Sequence, residues 1–313
     1  MLAPVVSIGM PAFNCEKTLE VAIRSIIRQS YENWELLLME DGSNDGTMEV
    51  VRQFADPRIS ICTDGRHKGL VARLNEAVTI SRGRYFARMD ADDVAFPKRL
   101  GKQVEYLEGH PKVDLVGIGM IVFRGNGVAL GYRKGPTSHE EICARACDGF
   151  PLGHPTLMGR TSWFRAHTYE ADFPLAEDQV LLLRSYATSR FACLPEILYG
   201  YREDELRLRK ILVGRYGFAK GVVRELGGRR RYLAAASAVL KQVAKAHVDV
   251  FAVTTGLGYR VLGHRARPLR PADLQRWGEV WSELQLETKG GTRRGMRLEN
   301  QSSAAEAALT SRH

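Results

Sequence analysis

Several features that define other protein classes are missing from this sequence. Its five cysteines are scattered and form no CxxC pair, which argues against a disulfide scaffold and against a metal site built from cysteines. We therefore expect a reducing environment. No uncharged apolar stretch reaches the length of about 18 residues that a transmembrane helix needs, and the first residues lack the basic segment of a signal peptide. We expect neither feature.

The glycine-rich phosphate-binding motifs are also missing. The chain has no GxxxxGK(S/T) and no GxGxxG motif, and the nearest match, Gly117-Ile118-Gly119, lacks the third glycine. These absences argue against a P-loop enzyme and against a dinucleotide-dependent oxidoreductase. The composition, with 44% hydrophobic and 26% charged residues, is ordinary for a globular protein and excludes collagen-like and disordered classes.

Apolar runs alternate with helical patterns over the first two thirds of the 313 residues. Residues 5–10 and 34–39 are continuous apolar runs, typical of strands covered on both faces, and residues 19–29 have helical spacing. This alternation predicts an α/β fold with a mostly parallel central sheet and helices on both faces. Residues 115–123 and 128–132 flank an Asn-Gly pair and predict a hairpin.

Only helical patterns follow after about residue 204. We predict a catalytic domain over residues 1–203, a basic all-helical C-terminal region over 204–290 and a flexible tail over 291–313. Residues 200–313 carry 22 Lys and Arg but 11 Asp and Glu, a net charge of +11, whereas residues 1–199 carry −2. A segment with this excess of positive charge is typical of proteins that bind a polyanion. A solvated basic face that binds no partner is the alternative interpretation.

The segment 229–253 favours a membrane surface as that partner. Its apolar residues fall near one helical face: Leu233, Ala236, Leu240, Val243, Ala244, Val248 and Phe251. Lys241 and Lys245 fall on another face, so the helix could lie in the interface of an anionic bilayer. Packing of the apolar stripe on the catalytic domain is the alternative. The helices lack interleaved aromatics and DNA-binding motifs, so we expect no nucleic-acid partner.

Carboxylates gather where the predicted strands end. Asp41 follows the strand over 34–39, and Asp90, Asp92 and Asp93 follow a strand over 84–89. Ligands bind beyond the carboxyl ends of parallel strands. Carboxylates this close repel one another unless a cation lies among them, and oxygen ligands without His or Cys favour Mg²⁺ or Mn²⁺. We therefore expect a divalent metal here; a loop that only caps the next helix would need one carboxylate.

A series of motifs runs through residues 4–202 in a fixed order. The main ones are Pro11-Ala12-Phe13-Asn14, Glu40-Asp41-Gly42-Ser43-Asn44-Asp45, Arg88-Met89-Asp90-Ala91-Asp92-Asp93, His154-Pro155-Thr156 and Glu177-Asp178. Together they resemble the inverting glycosyltransferases of family 2, which have the GT-A fold. The resemblance implies an enzyme that moves one sugar from a nucleotide-diphosphate sugar, linked to UDP or dTDP, to an acceptor hydroxyl with inversion.

The resemblance also implies a nucleotide site. Phe13 would stack on the base, and Asp41 would accept a hydrogen bond from the ring N–H of uracil or thymine. Three further residues would line the same pocket: Pro11, Ala12 and Arg73.

The remaining motifs imply the metal and the catalytic base. Asp90 and Asp92 match the DxD pair, so Asp92 would ligate Mn²⁺ or Mg²⁺ and Asp90 would contact the metal shell or the ribose. Asp178 resembles the base that takes the acceptor proton. Three neighbours would lie on the acceptor and donor-sugar side: Asp93, His154 and Glu177. A purely structural histidine is the alternative for His154.

The sequence departs from the family pattern at two places. Glu40 replaces the usual first aspartate of the second motif, and no QxxRW motif follows Asp178, which favours a non-processive enzyme. A sugar-nucleotide nucleotidyltransferase is an alternative, although no glycine-rich basic loop follows the first strand. A non-catalytic nucleotide-sugar-binding protein is another.

We expect the acceptor to be a glycan or a lipid-linked glycan, in cell-surface polysaccharide or glycolipid synthesis. The resemblance and the basic rear third together predict a cytoplasmic enzyme held peripherally at the inner face of the cell membrane.

Overall fold

The computed structural model contains a central mixed sheet with helices on both faces. It describes residues 4–205, 207–228, 230–255 and 266–286. The predicted tail over 291–313 and several basic residues of the rear third, among them Arg229, Arg260 and Arg265, lie outside these ranges.

Two short strands of the described ranges, at residues 94–95 and 158–160, were not indicated by the sequence. The strands of these ranges are Val6–Ala12 (β1), Trp34–Glu40 (β2), Ile59–Cys62 (β3), Tyr85–Arg88 (β4), Val94–Ala95 (β5), Leu115–Arg124 (β6), Val128–Arg133 (β7), Met158–Arg160 (β8) and Phe191–Arg202 (β9). Their order is β3-β2-β1-β4-β8-β6-β9-β5, with β7 paired to β6.

The helices of the described ranges become long only after the last strand. They are Leu19–Ile27 (α1), Thr47–Arg52 (α2), Leu70–Ile80 (α3), Arg99–Gly109 (α4), His139–Cys143 (α5), Thr161–Ala166 (α6), Glu177–Ser185 (α7), Leu208–Gly228 (α8), Tyr232–Thr254 (α9) and residues 271–286 (α10). No described helix combines the length and the apolar character that crossing a lipid bilayer requires.

The first four strands form the parallel part of the sheet, as the sequence predicts. β1 pairs in parallel with β2 and β4, and β2 with β3. Every residue of β2 is buried, including Glu35, whose carboxylate accepts a hydrogen bond from Ser7 Oγ at 2.6 Å and pairs with Arg82 at 2.6 Å. A buried charge needs such partners. The carboxyl ends of β1, β2 and β4 therefore meet at one edge.

The second half of the sheet is mixed. β8 lies antiparallel between β4 and β6, while β6 and β9 run parallel. The sequence did not indicate β8, because three residues are too few to show a period. The predicted hairpin is confirmed as β6 and β7, whose turn places Gly125 and Gly127 at positive φ of 51° and 88°. The α/β prediction with a helical C-terminal region is also confirmed.

The helices after β9 pack back on the sheet and on α7. Phe218 and Val222 of α8 join the core on the α7 side. Trp277 of α10 joins the core on the other side, stacks near Phe96 and donates its indole N–H to Gly127 O at 2.7 Å.

The outer face of α9 is apolar and open. Leu233, Leu240 and Phe251 are 90%, 69% and 63% exposed, so this stripe does not pack on the rest of the described chain. Lys241 pairs with Asp148 at 3.1 Å, and Lys245 bonds to the Asp148 carbonyl. These two lysines therefore face the body of the protein, which differs from the solvent-facing cationic surface that the helical spacing suggested.

Candidate active site

A cleft of about 760 Å³ opens where β1, β2 and β4 end. Its lining includes these seven residues: Pro11, Ala12, Phe13, Asp41, His67, Asp90 and Asp92. Six of these were predicted for the nucleotide and metal site, so the fold brings them together as the strand order requires.

Asp41 is the most heavily bonded of them. Its Oδ1 accepts from the N–H of Lys68 and from Arg73 Nε, both at 2.8 Å, and its Oδ2 accepts from the N–H of Gly69 at 3.0 Å. His67 Nδ1 lies 2.9 Å from Oδ2. Burial alone would raise the pKa of Asp41, but these hydrogen bonds outweigh it and lower the pKa.

The four contacts fill the acceptor positions of the Asp41 carboxylate. A base N–H can reach this carboxylate only by displacing a donor. His67 is the donor least held by the fold, because its side chain is 59% exposed. Its ring lies 4.3 Å from that of Phe13, the residue predicted to stack on the base.

Arg73 does not line the cleft, contrary to the expectation from the resemblance. Its side chain is 2% exposed and lies behind Asp41, where it also pairs with Asp64 at 2.7 Å and Glu76 at 2.8 Å. Arg73 therefore positions Asp41 and does not contact a ligand, because its own donors are occupied by carboxylates of the protein.

Asp90, Asp92 and Asp93 offer the oxygen ligands expected for a divalent metal. One oxygen from each lies within 4.8 Å of the others. Asp92 opens on the cleft, and desolvation by the cleft walls, followed by the charge of Asp90, raises the pKa of Asp92 to about 6. An all-oxygen donor set with close negative charges fits Mg²⁺ or Mn²⁺.

Asp93 does not reach the sugar side of the cleft that the resemblance implied. It is 1% exposed, and its Oδ1 accepts from the N–H of Arg202 at 2.7 Å, which anchors the end of β9. Its Oδ2 is buried without a hydrogen-bond partner. Burial and the charges of Asp90 and Asp92 raise the pKa of Asp93 well above its usual range.

Arg88 is a central residue that the sequence reasoning missed. Its guanidinium grips Asp90 with two contacts, NH1 to Oδ2 at 2.6 Å and NH2 to Oδ1 at 2.5 Å. The side chain is 4% exposed, and its Nε is buried without a partner. A basic residue on the last position of a buried strand, two before the DxD pair, was the available signal.

Asp178, the predicted base, lies in the first turn of α7. Glu177 and Asp178 begin this helix, and one ligand atom from each lies within 4.8 Å of His154. Burial, followed by the charge of Asp178, raises the pKa of Glu177 to about 7, and burial also raises the pKa of Asp178. The Arg88 charge acts on both in the opposite direction. Arg88 thus interacts electrostatically both with Asp90 and with the Glu177–Asp178 pair.

His154 is part of the same group. Its Nε2 lies 3.1 Å from the Tyr169 hydroxyl, and burial, followed by the nearby Arg88 charge, lowers the pKa of His154 well below its usual value. The imidazole is therefore neutral at pH 7.

The predicted base, Asp178, lies at the wall of a second cavity of about 480 Å³. Asp178 and His154 line it together with Arg133, Lys134 and Arg267. The first cavity thus has Asp90 and Asp92 at its wall, and the second has Asp178, the predicted base. Arg88 lines a third cavity, of about 740 Å³, together with Asp90 and Asp92. Arg202 and Arg207, two further residues not predicted for the site, line the first cavity beside Asp92.

Comparison with known protein families gives a consistent picture. Residues 7–162 match the model of "Glycosyl transferase family 2". EpsE of Bacillus subtilis, which is named as a glycosyltransferase, is 41% identical over 209 residues, covering 64% of this chain and 74% of EpsE. WfgD of Escherichia coli, named UDP-Glc:alpha-D-GlcNAc-diphosphoundecaprenol beta-1,3-glucosyltransferase, is 38% identical over 103 residues, covering 33% of this chain and 41% of WfgD.

Solved structures share the fold at low sequence identity. TarS 1–349 of Staphylococcus aureus, in complex with UDP-GlcNAc, aligns with a TM-score of 0.60 at 16% identity, over 89% of this chain and 80% of that one. The mannosyltransferase PcManGT of Pyrobaculum calidifontis, in complex with GDP-Man and Mn²⁺, aligns with a TM-score of 0.56 at 16% identity, over 91% and 86%.

Proposed function

Since the chain belongs to glycosyltransferase family 2, we propose that it moves one sugar from a UDP- or dTDP-linked donor to an acceptor hydroxyl with inversion. The acceptor would be a glycan or lipid-linked glycan in polysaccharide or glycolipid synthesis. The relative WfgD, whose name gives a UDP-linked donor and a diphosphoundecaprenol acceptor, supports this proposal.

One observation carries the proposal. A cleft lined by Phe13, Asp41 and the DxD pair and a cavity with the Asp178 carboxylate at its wall are bridged by a third cavity, which shares Asp90 and Asp92 with the first and Tyr201 with the second. A nucleotide-diphosphate and an acceptor hydroxyl could therefore be held on opposite sides of one reacting carbon. Such positioning accounts for much of the rate enhancement in group transfer.

Asp178 would take the proton from the acceptor hydroxyl as the oxygen attacks the anomeric carbon. The C–O bond to the diphosphate breaks as the new glycosidic bond forms on the opposite face, which inverts the configuration. Asp178 needs to be ionised for this step, and the nearby positive charge of Arg88 favours the ionised form.

Asp92 and Asp90 would hold a divalent metal. When bound, Mn²⁺ or Mg²⁺ would neutralise the charge that develops on the departing diphosphate. Arg202 and Arg207 line the same cleft and would add positive charge there.

The test is a panel of nucleotide sugars incubated with the full chain and Mn²⁺, with hydrolysis and transfer followed by release of the nucleoside diphosphate. We expect one UDP- or dTDP-sugar to react. In Asp178→Asn, transfer should fall by about 10²–10⁴-fold while nucleotide affinity is kept. Binding of nucleotide sugars by the wild type without any turnover would instead favour a non-catalytic binding protein.

We also propose that the enzyme is held peripherally at the inner face of the cell membrane through the outer face of α9. The exposed Leu233, Leu240 and Phe251 support this, as do the exposed Arg230 and Arg231 that precede the helix. Apolar side chains would enter the interface, and the arginines would favour anionic lipid.

Sedimentation with phosphatidylglycerol vesicles tests the membrane proposal. Burial of each large apolar side chain contributes about 1.5–3 kcal/mol, so Leu240→Gln with Phe251→Gln should remove most vesicle binding. The matched control, Ile61→Gln with Ile80→Gln, replaces two other exposed apolar residues and should bind as the wild type does. Equal binding by all three proteins, or binding that ignores added salt, would refute the proposal.

A further inference from the structure

We propose that the cavity beside Asp178 takes an acceptor that carries an anionic group, a phosphate or a carboxylate, close to the hydroxyl that reacts. Lys134 and Arg267 would bind that anion. The inference rests on the proposed function, because it takes Asp178 as the base that faces the acceptor.

The cavity has an excess of positive charge. Among its described lining residues, Arg133, Lys134 and Arg267 are cationic and Asp178 is the one carboxylate. A volume of about 480 Å³ lies within the range of small-ligand sites. A neutral sugar acceptor would not need three cations in its binding site.

Two of these cations form no ion pair in the described part of the chain, although the charge of Lys134 also acts on Asp273, which itself pairs with Arg270 at 2.7 Å. Arg133 pairs with Glu203 at 2.6 Å, so its charge is largely compensated. Lys134 forms no ion pair there, and its Nζ lies 5.4 Å from the centre of the Tyr132 ring. Arg267 likewise forms no ion pair within the described residues, so both charges are available to a ligand.

The backbone around these cations is fixed. Tyr132 and Arg267 exchange two backbone hydrogen bonds, Tyr132 N–H to Arg267 O at 2.9 Å and Arg267 N–H to Tyr132 O at 2.8 Å. The backbone next to Lys134 is closely packed, because a Cβ on Gly135 would come within 2.6 Å of Pro151 O. The cations are thus carried by a preorganised part of the fold, which reduces the entropy cost of binding.

The diphosphate of the donor does not account for this charge. The donor cleft has its own cations, Arg202 and Arg207, beside the carboxylates Asp90 and Asp92. Neither Lys134 nor Arg267 lines that cleft. The anion expected in the second cavity therefore belongs to the acceptor, and an acceptor diphosphate or an acidic sugar would each supply it.

The experiment compares three analogues that share one tail, in calorimetry with the full chain saturated with UDP and Mn²⁺. They are a sugar linked to a short prenyl tail through a diphosphate, the same sugar as a neutral glycoside, and a glucuronide. We expect one anionic analogue to bind the wild type about 10–100-fold more tightly than the neutral one, the range for a charge-assisted hydrogen bond. Which anionic analogue binds identifies the source of the charge.

The variants Lys134→Gln and Arg267→Gln should each reduce that preference, and the double variant should abolish it. Lys112→Gln, which removes an exposed cation outside the cavity, is the matched control and should keep the preference. Equal binding of neutral and anionic analogues, binding of neither anionic analogue, or a preference that survives in the double variant would overturn the inference. UDP affinity is measured separately in every protein. Failure of the wild-type protein to bind UDP would count against the proposed function rather than against this inference.

Discussion

Replacing Arg88 tests whether one buried cation couples the two halves of the active site. Arg88→Met keeps a long apolar chain in the same space but removes the guanidinium that grips Asp90 and acts on Glu177 and Asp178. Arg88→Lys keeps the charge but loses the planar fork that makes two parallel contacts. The two variants therefore separate charge from geometry.

The expected loss of stability follows from the contacts. Two charge-assisted hydrogen bonds at 2.6 and 2.5 Å are worth roughly 3–6 kcal/mol together. The Asp90 side chain is 26% exposed, so water can solvate its carboxylate once the Arg88 guanidinium has been removed. We therefore expect Arg88→Met to lower the free energy of unfolding by about 3 kcal/mol, the lower end of the range for breaking a buried pair.

The expected effect on catalysis has a defined sign. Arg88 acts against the burial that raises the pKa of Glu177 and Asp178, so its removal raises both pKa values further. The acidic limb of the kcat/KM profile should then move to higher pH in Arg88→Met and much less in Arg88→Lys. Denaturant unfolding and pH–rate profiles of donor turnover measure the two effects. An Arg88→Met protein with both the wild-type acidic limb and the wild-type stability would refute this account.

Three further predictions concern single carboxylates. Asp92→Ala should abolish the Mn²⁺-dependent thermal protection by UDP, because the diphosphate loses its bridge to the protein; protection that persists in EDTA would contradict this. Asp41→Asn should weaken UDP binding in calorimetry by about 1–3 kcal/mol, since an amide N–H₂ would face donors; unchanged affinity would exclude Asp41 as the base-reading group. Without metal, the free energy of unfolding should fall between about pH 4.5 and 7, because Glu177 has a pKa of about 7 when folded against an ordinary 4.5 and so binds its proton more tightly in the folded state. Urea titrations across this range should show a flatter dependence for Glu177→Gln.

The parallel half of the fold and the polar residues at its edge could be predicted because each signal is local. β1 and β2 are continuous apolar runs, and the carboxylates directly follow strand ends. β8 could not be predicted, because Met158–Arg160 has no period and its place depends on partners from β4 and β6.

The side-chain partners within the site were beyond local patterns. Nothing near Arg73 in the sequence shows that Asp41, Asp64 and Glu76 occupy its donors. The orientation of Lys241 could not be predicted either. The helical spacing shows which residues share a face of α9, but it does not show which face packs against Asp148. Such contacts join residues far apart along the chain.

The late position of α10 in the sequence affects how the chain folds while it is being synthesised. Trp277 bonds to Gly127 across 150 residues, and its ring fills the space beside Gly200, where an added Cβ would lie 2.5 Å from it. About 75 residues separate the end of β9 from Trp277, so at roughly 5–20 residues per second a ribosome needs about 4–15 s to supply that ring. During this interval the Phe96 and Phe123 side of the sheet is uncovered. The nascent chain therefore passes through a stage in which every residue predicted for the active site has been synthesised but the sheet still exposes an apolar face to chaperones or to other chains.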